Sequence, residues 1–104
     1  MDEILKNYTL GELVWTKAGR WLRVKELSAG KYELAQLAPG YCGEKSYNPK
    51  IDVEFDGANE IATFLYDNTG TPVKQLSRNA ETAAEIDTEF TKLKQIFKDN
   101  LQEN

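Results

Sequence analysis

Four carboxylates stand close together in the middle of the chain: Asp52, Glu54 and Asp56 at alternate positions, Gly57 directly after them, and Glu60 beyond the turn. Carboxylate oxygens spaced this way, with a glycine to turn the backbone, are the ligands a hard divalent cation takes. A second group, Trp21, Arg23 and Lys25, alternates along one stretch, so that in a strand all three project to one side. An aromatic ring beside a guanidinium is the composition of a protein-binding hot spot. With lysine added it is also that of a platform on which single-stranded bases stack. A third candidate is Cys42, the only cysteine, set between Tyr41 and Gly43 with Lys45 nearby. A thiol becomes reactive where positive charge favours the thiolate; without that environment Cys42 reads as an inert free thiol.

Other chemistries are excluded by what is missing. There is no histidine, which removes the Ser-His-Asp and Cys-His arrangements and the commonest general base at neutral pH. One cysteine and no histidine cannot furnish the usual zinc ligands. The glycines at 11, 19, 30, 40, 43, 57 and 70 are scattered beside expected turns and make no phosphate-binding fingerprint. Carboxylates alone can hydrolyse glycosides, but they need a cleft that a chain this short hardly encloses. The sequence therefore reads as a non-enzyme with no cofactor and no metal. The run Asp52-Val53-Glu54-Phe55-Asp56-Gly57 does resemble the first six places of an EF-hand calcium loop. The match then fails, with Asn59 where an apolar residue belongs and Thr63 where a bidentate Glu belongs, while Asn48-Pro49-Lys50 breaks any entering helix. The run reads instead as a strand with Ile51, Val53 and Phe55 inward and an acidic outer surface of Asp52, Glu54, Asp56 and Glu60.

The elements that position these groups follow from periodicity. Glu12–Lys17, Trp21–Leu27 and Lys31–Leu37 read as a three-stranded meander. A two-residue turn at Ala18-Gly19 sets Trp15 opposite Leu22 and Leu13 opposite Val24. A three-residue loop, Ser28-Ala29-Gly30, sets Val24 opposite Leu34 and Lys25 opposite Glu33; a two-residue loop there would scramble both faces. One face of the meander is then Leu13, Trp15, Leu22, Val24 and Leu34. The other carries Val14, Thr16, Trp21, Arg23, Lys25, Glu33, Ala35 and Leu37, with Leu37 opposite Trp21. Residues 38–50, with two Pro and two Gly, read as a long loop containing Tyr41 and Tyr47. A hairpin follows, Ile51–Asp56 and Glu60–Tyr66, and Thr71–Leu76 reads as an edge strand that tolerates Pro72.

Residues 79–102 read as a helix, with Asn79 as N-cap. Ala83, Ile86, Phe90, Leu93, Phe97 and Leu101 recur at three- and four-residue steps, with acids early and lysines late to suit the helix dipole. The stripe is short for a coiled coil and Asn100 interrupts it, so packing on the sheet, and a monomer, is preferred to a helix-mediated dimer. Residues 1–11 supply a short helical turn, packed by Ile4 and Leu5, and then a bend. The expected architecture is one α+β domain over 1–104: an antiparallel sheet of five or six strands across 12–76, a meander and then a hairpin, against one C-terminal helix.

The chain of 104 residues, 11% of them aromatic, is large enough for one core. No apolar run approaches the roughly 20 residues that cross a bilayer. The start is no secretory signal, and a single cysteine gives no internal disulfide, so the expected location is the cytoplasm. Net charge is −4, split unevenly: residues 1–50 hold eight Lys/Arg and six Asp/Glu, the remainder five and eleven. The acid excess argues against non-specific nucleic-acid binding. The leading expectation is a small non-catalytic protein-interaction or regulatory module, with another protein as partner and no membrane. It would use the Trp21, Arg23, Lys25 and Leu37 face or the loop tyrosines, Tyr41 and Tyr47. Two alternatives remain: an acidic inhibitor that mimics nucleic acid, and a weak single-strand binder through Trp21, Arg23 and Lys25. Whether Trp21 is core, beneath the helix or the 38–50 loop, or partner surface stays open at this level.

Overall fold

Alternating apolar and polar residues drive most of the chain into one antiparallel sheet, seen in a computed structural model that describes residues 1–40 and 42–103. A short helix α1 (Asp2–Asn7) leads into β1 (Val14–Trp15), β2 (Trp21–Ser28), β3 (Lys31–Pro39), β4 (Lys45–Phe55), β5 (Glu60–Asp67) and β6 (Lys74–Ser77). Helix α2 (Ala83–Asp99) follows and tightens into a 3₁₀ turn at Asn100–Glu103. The six strands pair strictly in sequence order, as an up-and-down meander. This is the α+β architecture expected, with the meander and hairpin fused into one sheet.

Among the described residues, only one face of the sheet is covered by a helix. Leu22, Val24, Leu34, Ile51, Val53, Ala62 and Leu65 point to α2 and pack with Ile86, Phe90, Leu93 and Phe97, which are the helix's own apolar stripe. Ile4 of α1 and Tyr8 close the end of this core. The stripe is thus consumed inside the chain. Residues 79–82 begin the helix as a capping box: Asn79 Oδ1 accepts the N–H groups of Glu81 and Thr82 at 2.8 and 3.0 Å, and Thr82 Oγ1 accepts the Asn79 N–H at 3.0 Å. The regular helix starts later than expected, at Ala83, because these residues form the capping turn. Asn79→Ala is expected to cost about 1 kcal/mol, or roughly 5 °C in melting temperature. An unchanged thermal melt would show that the cap contributes nothing.

The second register is as expected in its central rows, Val24 opposite Leu34 and Lys25 opposite Glu33, but its loop is corrected: Ser28 pairs with Lys31 across the two residues Ala29-Gly30, and a bulge at Leu27 supplies the extra residue. The first is corrected by one residue, Val14 opposite Leu22 and Trp15 opposite Trp21. In either of the favoured hairpin types, a two-residue turn at Ala18-Gly19 requires positive φ at Ala18, and positive φ among the described residues occurs only at glycines. The loop is instead Lys17–Gly19, closed by Thr16 N–H to Arg20 O at 2.8 Å, with Gly19 at φ 80°. A one-residue slip turns every side chain over. Val14 therefore packs on the core, while Leu13 (40% exposed) and Trp15 (57% exposed) leave it.

The 38–50 loop is also corrected. β3 runs through Pro39 and β4 begins at Lys45, leaving only a short connection in which Tyr41 lies outside the described residues. Pro49 fits inside β4 because it sits at a bulge. Ala35 faces Lys50 and Leu37 faces Tyr47, so Asn48 and Pro49 together oppose Gln36. Gln36 Nε2 donates to Asn48 O at 2.6 Å, which uses the carbonyl that the bulge frees. β1 and β6 are shorter than the expected strands 12–17 and 71–76. Among the described residues no helix is long and apolar enough to cross a membrane.

Candidate functional site

Among the described residues, no helix or strand is laid over the sheet face opposite α2, and this face holds most of the candidate residues. Alternation along β2, β3, β4 and β5 brings Trp21, Arg23 and Lys25 into line with Leu37, Ala35 and Glu33, then with Tyr47, Lys50 and Asp52, then with Phe64 and Tyr66. Trp15 joins at the β1 edge. Its ring meets Trp21 edge-on at 4.7 Å between centroids, and Lys45 Nζ stands 4.8 Å from the Trp21 centroid on the other flank. Such a cation over an indole is attracted by the ring quadrupole. Trp21 therefore lies on the face away from α2, half-buried, with Trp15 and Lys45 against its ring.

Next to this corner lies a charged network. Arg23 Nη2 donates to Glu33 Oε1 at 3.0 Å and to Tyr47 Oη at 3.3 Å, and Lys50 Nζ is 3.8 Å from Glu33 Oε2. Lys50 also lies over the rings of Tyr47 and Tyr66, at 4.9 and 5.6 Å from their centroids. Glu33 is only 5% exposed, because the long side chains on both sides close over it. Leu37, at 3% exposed, sits between Trp21 and Tyr47 in the register and supports them without offering contact area of its own. Asp52, directly opposite Glu33, has its Oδ1 buried without a partner. Burial, and then the neighbouring Glu33 charge, push its carboxyl above the ordinary range, and Lys50 only partly offsets them.

The four acids taken together from the sequence are dispersed by the fold. Asp52 and Glu54 lie on the open face, Glu54 exposed and opposite Lys31. Asp56 turns the β4–β5 hairpin, its Oδ1 accepting the N–H groups of Asn59 and Ala58 at 2.7 and 2.9 Å, which hold its carboxyl below the usual range. Glu60 points to the helix side, where it accepts from Lys94 and from the Met1 amino group, the latter at 3.0 Å. Burial pushes the Glu60 carboxyl up, but these two cations outweigh it and hold it low. Segment 52–60 is thus strand, hairpin and ion pair. Among the described residues no group of three or more acids or cysteines is arranged to hold a metal ion.

Cys42 is exposed in the β3–β4 connection, its N–H donating to Glu44 Oε2 at 3.0 Å. A cleft of about 470 Å³ is lined by Arg20, Pro39, Gly40, Glu44, Ser46 and Asn48 among others, and none of the expected site residues that are described lines it. Trp15, Lys45, Lys50 and Tyr66 were missed by sequence reasoning. The first was hidden by the register slip; the next two lay in what read as loop. Alternation along Glu60–Tyr66 places Tyr66 in a strand without saying which strand it would lie beside. Compared with protein-family models, curated proteins and solved structures, the chain matches none.

Proposed function

We propose that this protein is a small non-catalytic interaction module that binds another protein through its open sheet face, centred on Trp15 and Trp21. The observation that carries the reading is the exposure of Trp15, 57%, on a face that also presents Trp21, Arg23, Lys45 and Tyr47. Aromatic and arginine side chains held rigidly on a sheet concentrate binding energy. A large exposed indole also gains from transfer out of water. The two rings are already fixed against each other, so little side-chain entropy is lost when a partner docks. The buried carboxylate of Glu33 serves as counter-ion to Arg23 and Lys50, which suits positioning better than catalysis. A free thiol such as Cys42 fits a reducing cytoplasm, the compartment assigned to the module.

The test compares two surface variants in native extract, recovering bound protein with the tagged chain. Trp15→Ala is expected to weaken capture about tenfold while changing stability by less than about 1 kcal/mol, because the ring is mostly exposed. Lys92→Glu, on the far side of α2, is expected to change neither. Equal capture by wild type and Trp15→Ala would refute the reading.

A further inference from the structure

The Trp15–Trp21 corner combines exposed apolar surface with cations that have no counter-ion. Leu13, just before β1, and Trp15 at its end are both exposed, and Leu10 (48% exposed) precedes them where Gly11 N–H bonds to Val24 O. Among the described residues, Lys45 and Lys25 make no ion pair, whereas Arg23 and Lys50 are engaged by Glu33. Glu44, the acid beside Lys45 in sequence, is turned away over Gly40, where even a Cβ would meet its carboxylate. From this geometry we infer that the occupant of the corner is an acidic segment of a partner protein, bearing an aromatic or apolar residue that packs on Trp15 and Leu13 while its carboxylates meet Lys45 and Lys25. The inference rests on the interaction reading above and names the chemistry of the partner.

Charge complementarity separates this occupant from two others. The unpaired positive area is small and bounded: across β3 and β4 the same face turns to Glu33, Asp52 and Glu54. A polynucleotide leaving the corner would carry its phosphates onto these acids, on a molecule whose net charge is already −4. A peptide needs only one or two carboxylates and need not run past Lys25, the residue directly opposite Glu33, onto the acids of β4. Helix α2 of a second copy of this chain is poorly suited to supply such carboxylates. Its acidic helix residues Glu85 and Asp87 are engaged by its own Lys74 and Arg78, at 2.6 and 2.8 Å.

The probe is a short fluorescein-labelled peptide with one phenylalanine set among glutamates, followed by anisotropy. Its controls are the same peptide with glutamine for glutamate and a labelled oligothymidine. Expected are saturable binding that weakens with salt, at least about fivefold loss for the glutamine peptide, and about tenfold loss for Lys45→Glu and for Trp15→Ala. Lys92→Glu should bind as wild type does. If the glutamine peptide binds equally well and still needs Trp15, the acidic partner is wrong and the interaction face stands. If no peptide shows Trp15-dependent binding, both fall. Tighter binding of oligothymidine, lost in Lys45→Glu, or Trp15-dependent self-association in sedimentation of the protein alone, would overturn the inference in favour of nucleic acid or of a second copy.

Discussion

Phe97→Ala is expected to lower the stability of the fold by about 4 kcal/mol, or roughly 20 °C in melting temperature. Phe97 is completely buried on the last turns of α2, where it meets the Tyr8 ring edge-on at 5.0 Å and packs into the cluster with Ile4, Leu22 and Leu93. Truncation removes the transfer energy of a large ring and leaves a cavity that strands pinned by five successive pairings cannot collapse to fill. The Tyr8 hydroxyl donates to the backbone oxygen of Phe97 at 2.6 Å, a bond that survives in the alanine variant. Tyr8→Phe removes that bond while keeping the ring and should cost about 1 kcal/mol. A urea melt of the two variants separates packing from hydrogen bonding. A loss below about 1.5 kcal/mol for Phe97→Ala would mean that the end of α2 does not pack on the sheet as described.

That dependence on the helix was readable from the sequence because a three- and four-residue period admits one solution: Ile86, Phe90, Leu93 and Phe97 cannot share a side of anything but a helix. The central β2–β3 register was equally readable, although the turn was not: Gly30 is left-handed in a two-residue turn, Ala29-Gly30, and a bulge at Leu27 supplies the residue that a three-residue loop was expected to hold. Gly19 carried the same signal, but a shorter turn seemed sufficient when Trp15 and Leu22 could be paired as two apolar residues. Backbone sterics at Ala18 outweigh that apolar match, and the exposed Trp15 is the consequence. The start of β4 was hidden for a different reason. Proline is disfavoured in a strand because it removes a ladder hydrogen bond, and only the partner strand reveals that Pro49 falls at a bulge where no such bond is required. Lys45 and Lys50 were lost with it. The candidate site is therefore half legible: alternation gives Trp21, Arg23 and Lys25, while the side chains that surround them come from β1, β4 and β5 through long-range pairing that local pattern does not encode.

The same pairing predicts opposite outcomes for two neighbouring acids on the open face. Glu33→Gln is expected to destabilise by about 2 kcal/mol, below the roughly 3–5 of a fully buried pair because Arg23 and Lys50 retain some contact with water. It leaves two cations facing each other across Tyr47 with their shared carboxylate gone. Asp52→Asn should instead stabilise by about 0.5 kcal/mol at neutral pH, since like charges directly opposite each other on paired strands repel. The pH dependence gives the sign independently. The Asp52 carboxyl is raised in the folded chain by burial and by Glu33, so the folded state holds its proton to higher pH than the unfolded state does. The Asp52 contribution to stability therefore falls as pH climbs from the ordinary carboxylate range through the raised value. The gain from Asp52→Asn should be absent in acid and complete above that window. Introducing Asp52→Asn into Glu33→Gln should yield less than it does in wild type, because the repelling partner is already neutral. Denaturation midpoints for the two single variants and the double variant, measured from acid to neutral pH, check all of these signs. A gain from Asp52→Asn that persisted unchanged into acid would mean that the Asp52–Glu33 opposition does not govern the stability of this face.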